Sequence, residues 1–389
     1  MARNSNKPWF DFPAAAEKDA EIAIIGGGVS GLMTAHHLSN YHKVTLIDKN
    51  DHLMQGASGN PAAILEPKVS IANSIEKEFY ASAFRYAVDF YKNLPDGIFN
   101  QCGLIRTPKD KSELEKFSKL PSLYPPSFLQ LTDKGLYFPN AGYVIPPALK
   151  ETLSGNFKGI FNQNITQIQK TNDQRWALIN EHGDNIVTAD IVIISNSFLA
   201  NEFAQSNHLY LKKLSGQISF IKTQQNQDTI FCSEGYLTPK VFTKNGIAQI
   251  CGATFEQGIQ ENVSSDAHQK NIDKSPLPLA EPEILGGRCA TRAMVKDHLP
   301  ICGPLPVLSD YQKHYNSLIH GPRHKIFPAA SYHNNLYISA GLGARGFLTA
   351  PLLASVVTAQ IRGGKLPISD KIYHALHPAR FIIRKLSKK

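Results

Sequence analysis

Three glycines and one aspartate near the amino end of the chain have the residue types and the spacing that suit binding of a dinucleotide. Gly26, Gly28 and Gly31 follow the apolar run "IAII". Asp48 ends the next apolar run, "VTLI". Gly26 permits a tight turn, Gly28 lets backbone N–H groups approach a pyrophosphate, and Gly31 lets a helix pack closely on a strand. With Asp48 placed to bind ribose hydroxyls, this order predicts a dinucleotide-binding βαβ unit.

The helix between the two apolar runs should present its first N–H groups to the ligand. Val29 and Ser30 begin the apolar periodic segment that follows the glycines, and Lys49 stands directly after the ribose acid. The amino end of a helix carries partial positive charge, which favours a pyrophosphate. We therefore predict that these three residues contact the cofactor.

The segment 56–60, "GASGN", is small and polar, and it follows the second strand at the carboxyl edge of the predicted sheet. Ligands of such folds bind at this edge. Its serine and asparagine offer hydrogen bonds, and its two glycines let the backbone close on a ligand. The predicted cofactor contacts in this segment are Gly56, Ala57, Ser58, Gly59 and Asn60.

Length and composition limit the class of protein. A chain of 389 residues exceeds the size at which one hydrophobic core usually stops growing, so we expect two joined domains. The longest apolar runs are far too short to cross a bilayer, and the first residues lack the apolar core of an export signal. We therefore expect a cytoplasmic protein without a membrane span.

Charge and cysteine usage indicate the partners. The net charge of +9 and the basic tail "HPARFIIRKLSKK" would attract a polyanion, although a solvated helix end explains the tail equally well. The five cysteines are scattered and never spaced Cys-x-x-Cys, and the histidines show no ligand spacing. We expect reduced cysteines and no metal site.

Several longer segments resemble the FAD-dependent oxidases of the D-amino-acid oxidase and glycine oxidase superfamily. They are "GASGNPAAILEPKVS", "LYFPNAGYVIPPAL", "ADIVIISNS", "GGRCATR" with "DHLPICGPLP", and "LYISAGLGARGFLTAPLLASVVTAQI". The resemblance implies FAD as cofactor. It also implies an α/β fold, with a Rossmann-like FAD-binding domain and an interleaved mixed-sheet substrate domain. The implied segments are a leader or linker 1–20, an FAD-binding domain 21–85, 150–210 and 283–389, and a substrate domain 86–149 and 211–282.

A narrower resemblance is carried by four segments, "RCATR", "DHLPICG", "GLGARGFLTAPL" and "ALHPARFIIRKL". Their sequences resemble the oxidoreductase half of the MnmC family of bifunctional tRNA-modifying proteins. The resemblance implies that FAD serves to remove the carboxymethyl group of 5-carboxymethylaminomethyl-(2-thio)uridine at the tRNA wobble position. The products would be the 5-aminomethyl base and glyoxylate. The methyltransferase half is missing, so the later methylation requires a separate SAM-dependent methyltransferase or a part of the protein that this sequence does not include.

The same resemblance assigns further site residues. Arg288 is expected to hold the substrate carboxylate, because a guanidinium can do so through two parallel hydrogen bonds. A structural ion pair is the alternative role for Arg288. Arg345 is expected to add charge near the flavin or to meet the substrate. Arg292 is separated from Asp297 by a looser spacing than the family suggests, which argues against a role there. Further expected cofactor contacts are Ile165, Asn196, Gly343, Gly346 and Phe347.

Two other functions remain open from the residues alone. The first is an FAD oxidase of a free amino acid such as glycine, sarcosine or a D-amino acid, in which case the basic surface is incidental. The second is a non-catalytic flavin-containing protein that binds RNA. Assays with wobble-modified tRNA and with free amino acids as substrates distinguish the first alternative from the favoured function. Bleaching of the bound flavin by an amine distinguishes the second alternative from both enzymes.

Overall fold

The computed structural model describes residues 7–321 and 325–388, and one of its two large sheets has six strands. In spatial order these strands are Ile301–Pro306, Tyr332–Ala340, Ile191–Ile194, Glu21–Ile25, Lys43–Ile47 and Lys158–Ile160. The first strand is antiparallel to its neighbour, and the other pairs are parallel. The central strands are almost entirely buried, which explains their continuous apolar runs, because a parallel sheet is covered on both faces.

The second large sheet has nine strands and is mixed. Its order is Glu256–Gln257, Leu211–Lys222, Gly246–Gly252, Tyr236–Thr243, Ile230–Cys232, Leu104–Arg106, Gly135–Phe138 and Gln130–Thr132, and Glu283–Val295 also pairs with Leu211–Lys222. Only the pair Ile230–Cys232 and Leu104–Arg106 is parallel. The chain thus passes repeatedly between the two sheets, which confirms the predicted α/β architecture with an interleaved mixed sheet.

Two three-stranded sheets and the helices complete the fold of the described residues. The small sheets contain Ile165–Lys170, Trp176–Asn180 and Asn185–Ala189, and Ala63–Leu65, Gly142–Val144 and Phe99–Asn100. The α-helices are Val29–Ser39, Ile75–Lys92, Lys111–Lys119, Pro146–Leu153, Ser265–Asp273, Leu308–Tyr315, Gly346–Ile361, Asp370–Leu376 and Arg380–Leu386. The 3₁₀ helices are Pro8–Phe10, Leu120–Ser122, Ser154–Asn156, Ser197–Glu202, Asn316–His320 and Gly343–Arg345.

The helical segment Gly343–Ile361 contradicts one expectation. It is long and apolar enough to cross a membrane, so the prediction that every apolar run is too short is wrong. However, 72% of its apolar window is buried inside the protein. The helix packs against Val29–Ser39 and Ile75–Lys92. A helix that is apolar all round is expected at such a central position in a large core.

One strand, one helix and the first described residues bear on the predicted segments. The strand Glu283–Val295 lies in the nine-stranded sheet, whereas the sequence assigned it to the FAD-binding segment 283–389. The border at residue 85 falls inside the helix Ile75–Lys92. Residues 1–6 of the predicted leader lie outside the described residues. In its described part, Phe10 is buried and stacks on His374. Strand pairing and packing partners are distant in sequence, so local patterns did not reveal them.

Candidate active site

A cavity of about 780 Å³ lies where the carboxyl ends of the parallel strands meet the nine-stranded sheet. Its volume is in the usual range for cofactor and small-molecule sites. All predicted site residues except Gly31 and Gly59 line this cavity. They are Gly26, Gly28, Val29, Ser30, Asp48, Lys49, Gly56, Ala57, Ser58, Asn60, Ile165, Asn196, Arg288, Gly343, Arg345, Gly346 and Phe347.

The glycine turn has the close backbone contacts that its residue types predict. Gly26 has φ of 107°, and a Cβ added there would lie 2.7 Å from backbone atoms of Ser195 and Asn196. A Cβ at Gly31 would lie 1.8 Å from the carbonyl oxygen of Gly26. Gly31 therefore serves the packing of helix on turn, which explains why it lies outside the cavity wall.

The start of the helix Val29–Ser39 is tied to the segment 56–60. The Val29 N–H donates to Ser58 Oγ at 2.9 Å, and Ser58 is buried. Ser30 Oγ donates to the carbonyl oxygen of Ser339 at 2.8 Å, which joins the helix to the neighbouring strand. These bonds hold the helix amino end against the polar loop, where both form part of the cavity wall. An anion in that space would meet backbone N–H groups.

Asp48 supports two turns of the site. Its Oδ2 accepts from the Gly27 N–H, and its Oδ1 accepts from the backbone and side-chain nitrogens of Asn50 at 2.8 Å each. A carboxylate has about four acceptor positions, so Asp48 retains capacity for a ribose hydroxyl. The residue is thus both a structural acceptor and a cavity-lining carboxylate.

Arg288 lines the cavity, but its guanidinium is already engaged. It donates to Asn60 Oδ1 at 3.0 Å and to the carbonyl oxygens of Gln55 and Gly56. Burial lowers its pKa, and the partners that it has are neutral oxygens. These contacts fasten the strand Glu283–Val295 to the polar loop, so the donors of Arg288 face the loop rather than open space.

Arg292 lies four residues further along the same strand and is the functional candidate that the sequence analysis set aside. Within residues 7–321 and 325–388, its Nε is buried without a hydrogen-bond partner, and its Cζ lies 4.8 Å from the ring centroid of Phe255. Burial lowers its pKa, whereas nearby Tyr236 raises it. A half-buried guanidinium without an acceptor is costly unless a ligand supplies one. The signal in the sequence was the spacing of four, since residues i and i+4 of a strand share a face.

Arg345 is part of an ion-pair network rather than an isolated cation. Its Nη2 lies 2.9 Å from Glu66 Oε2, and Arg106 Nη1 lies 2.8 Å from Glu66 Oε1. Arg106 also pairs with Glu113 at 3.3 Å. The network joins the turn before the helix Gly346–Ile361 to the strand Leu104–Arg106 and so connects the two sheets at the cavity wall.

The basic tail has a structural role that the charge pattern did not reveal. His377 and Arg380 are buried, and the Arg380 guanidinium pairs with Asp297 at 3.0 Å and donates to the carbonyl oxygen of Leu299 at 2.7 Å. Arg384 binds the second oxygen of Asp297. The tail therefore anchors the turn that follows the strand Glu283–Val295.

The cavity meets the requirements of an FAD site on its own atoms. Backbone atoms close to Gly26 leave no room for a side chain at this position. The turn therefore has no side chain there that could block a ligand. Asn196 Oδ1 and Ser195 Oγ, at the end of a central strand, are buried without a partner. Unpaired buried polar atoms at this edge of the sheet are suited to hydrogen-bonding a polar dinucleotide. In the described part of the chain, no group of three or more His, Cys, Asp or Glu side chains could hold a metal ion.

The family model of the FAD dependent oxidoreductases (DAO) matches residues 21–360. The chain belongs to this family. It is therefore an FAD-dependent oxidoreductase, as the sequence predicted. The five cysteines are free in the structure.

Two curated relatives to which the chain is similar are tRNA 5-methylaminomethyl-2-thiouridine biosynthesis bifunctional proteins MnmC. The protein from Pseudomonas fluorescens (strain Pf0-1) is 29% identical and that from Chromobacterium violaceum 28% identical, each over 98% of this chain. The chain spans 62% of the length of these relatives. The glycine oxidase of Geobacillus kaustophilus has a similar fold, with a TM-score of 0.73 and 18% identity over 94% of this chain and 99% of that chain.

Proposed function

We propose that the protein oxidises the carboxymethyl group of 5-carboxymethylaminomethyl-(2-thio)uridine at the wobble position of tRNA. The products are the 5-aminomethyl base and glyoxylate. The observation that carries this proposal is the similarity to MnmC proteins over 98% of the chain, combined with a cavity-lining arginine, Arg292, whose Nε has no hydrogen-bond partner among the described residues. The substrate is an N-substituted glycine, so its carboxylate requires a cation beside the oxidised carbon.

The residues proposed to hold FAD are those of the glycine turn, the polar loop and the turn before the helix Gly346–Ile361. The amino end of the helix Val29–Ser39 would hold the pyrophosphate, and Asp48 would accept from ribose. The helix Gly346–Ile361 begins at the cavity, so its first N–H groups stabilise negative charge there. Bound FAD supplies the two-electron oxidation of the substrate C–N bond.

Both arginines of the strand Glu283–Val295 are candidates for the carboxylate, and the contacts favour Arg292. The Arg288 donors are bound to Asn60 and to loop carbonyls, whereas Arg292 Nε has no acceptor. Tyr236 lines the same cavity near Arg292, and burial raises the pKa of its hydroxyl, which is therefore a neutral donor available to the same carboxylate. Arg288 then acts by fixing the loop.

The remaining steps need little from the chain. Two carboxylate contacts orient the methylene of the substrate, and the walls of the cavity exclude bulk water during oxidation. Water then hydrolyses the oxidised amine, which releases glyoxylate and leaves the primary amine on the base. A methyltransferase on another chain, or on a part of the protein beyond this sequence, would act on that amine afterwards.

Nucleoside mass spectrometry tests the proposal. tRNA that carries 5-carboxymethylaminomethyl-uridine is incubated with the FAD-loaded protein and then digested. The expected result is loss of that nucleoside, gain of the 5-aminomethyl nucleoside, and an equal amount of glyoxylate. Unchanged tRNA would reject the proposal.

The similarity of the fold to glycine oxidase favours a second candidate, an oxidase of free amino acids. Glycine, sarcosine and D-alanine are therefore assayed beside the tRNA. Turnover of these compounds without any change in the tRNA would establish this second function.

A further inference from the structure

Phe255 lies at the mouth of the cavity, in the segment that follows the strand Gly246–Gly252. It lines the cavity, yet it is 55% exposed. Ile259, in the same segment, also lines the cavity and is 51% exposed. One exposed apolar side chain is ordinary on a protein surface. Two such side chains beside one substrate-sized cavity indicate a contact surface for a ligand.

The backbone around Phe255 is held in place. Thr254 N–H donates to the carbonyl oxygen of Gln217 at 3.1 Å, and Thr254 Oγ1 accepts from the Gln217 N–H at 2.9 Å. Ser215 Oγ donates to the carbonyl oxygen of Gly258 at 2.8 Å. The ring is therefore presented on a fixed backbone, and a ligand that contacts it need not first order the segment.

The ring of Phe255 and the guanidinium of Arg292 are adjacent, with 4.8 Å between the Arg292 Cζ and the ring centroid. In an N-substituted glycine whose amine bears a ring through one methylene, four bonds separate the carboxylate carbon from the ring, which is roughly 5 Å when extended. A substrate whose carboxylate binds Arg292 can thus place its ring beside Phe255. The two contacts are compatible in one molecule.

We propose that Phe255 is a stacking platform for a planar ring carried by the substrate amine. The site then selects N-substituted glycines that bear an aromatic or heteroaromatic ring one methylene from the nitrogen. This inference rests on the proposed function and deepens it, because the uracil ring of the wobble base is such a group. Glycine and sarcosine carry no ring, so neither stacks on Phe255.

Two small compounds separate the ring from the rest of tRNA. N-benzylglycine carries a ring through one methylene, and N-butylglycine is an aliphatic control with the same carboxylate and amine. The FAD-loaded protein is assayed with both for kcat/KM. Anaerobic calorimetry on protein whose FAD has been reduced beforehand gives the dissociation constants, because reduced flavin cannot oxidise either compound. The variants are Phe255→Ala and Phe255→Trp. Phe242→Ala is the matched control, since Phe242 is 84% exposed and does not line the cavity.

The wild-type protein is expected to prefer N-benzylglycine, and Phe255→Ala should reduce that preference about tenfold while Phe255→Trp retains it. Phe242→Ala should leave it unchanged. Equal losses for both compounds in Phe255→Ala would mean that the ring only packs on Arg292, and this would overturn the proposal. No loss for either compound would overturn it as well. Failure of the proposed function has a different signature, namely a wild-type protein that prefers the ring compound but leaves tRNA unmodified.

Discussion

Replacement of Arg292 by lysine tests which arginine binds the substrate carboxylate. A guanidinium offers two parallel hydrogen bonds to a carboxylate, whereas an ammonium group on a flexible stem offers a point charge. Each hydrogen bond to a charged group contributes about 1.5–3 kcal/mol, so loss of one should lower kcat/KM about 10- to 150-fold. Arg292 has no hydrogen bond to the glycine turn or to the polar loop, and FAD content should therefore be unchanged.

Arg288→Lys is the matched variant on the same face of the same strand. It removes donors to Asn60 Oδ1 and to the carbonyl oxygens of Gln55 and Gly56. Because these contacts position the polar loop, this variant should lose FAD more readily. When saturated with FAD, it should keep most of its kcat/KM.

The assay combines two measurements on each variant. FAD content is read from the visible absorbance after gel filtration, and kcat/KM is read from conversion of wobble-modified tRNA by mass spectrometry. The reverse pattern would refute the reasoning. If Arg288→Lys abolishes turnover with FAD retained and Arg292→Lys does not, then Arg288 is the carboxylate anchor, as the resemblance alone implied.

Three further outcomes are expected. Gly31→Ala should abolish FAD binding or folding, because the added Cβ would lie 1.8 Å from the Gly26 oxygen. In the same absorbance measurement the control Gly155→Ala should bind FAD normally, because no atom lies within 4 Å of the added Cβ. Asp297→Ala leaves Arg380 buried without its charged partner, which costs about 3–5 kcal/mol. At about 2.1 cal/mol/K per residue over 389 residues, this should lower Tm by about 4–6 °C in a calorimetric scan, and an unchanged Tm would show that the pair does not stabilise the turn. Burial raises the pKa of Asp297, but hydrogen bonds and charge from the tail arginines outweigh burial and hold it below its usual value. A carboxyl group whose pKa is lower in the folded protein adds stability at pH values above its unfolded pKa. This stability is lost as the pH falls through the folded pKa. The Tm difference between wild type and Asp297→Ala should therefore be constant above about pH 5 and shrink below about pH 4.

The sequence by itself determined the dinucleotide-binding unit. Its turn depends on residues that are adjacent in the chain, and a glycine at positive φ or at a close backbone approach is recognisable from its type. The apolar runs of the parallel strands are equally local, because a strand covered on both faces needs no alternation. For these reasons the sequence alone predicted Gly26, Gly28, Asp48 and the polar loop 56–60 as cofactor contacts, and all of these except Gly59 line the cavity.

Only the tertiary structure decided what each charged side chain does. Arg288 and Arg292 have the same type and share a strand face, and they differ in whether a loop more than 200 residues away in sequence supplies acceptors. The charge pattern of the tail indicates a solvated basic segment, whereas in the structure Asp297 binds Arg380 and Arg384. Charge interactions depend on distance and burial in space, and neither can be obtained from spacing along the chain. Sheet membership follows the same rule, since the strand Glu283–Val295 belongs to the sheet that contains its partner Leu211–Lys222.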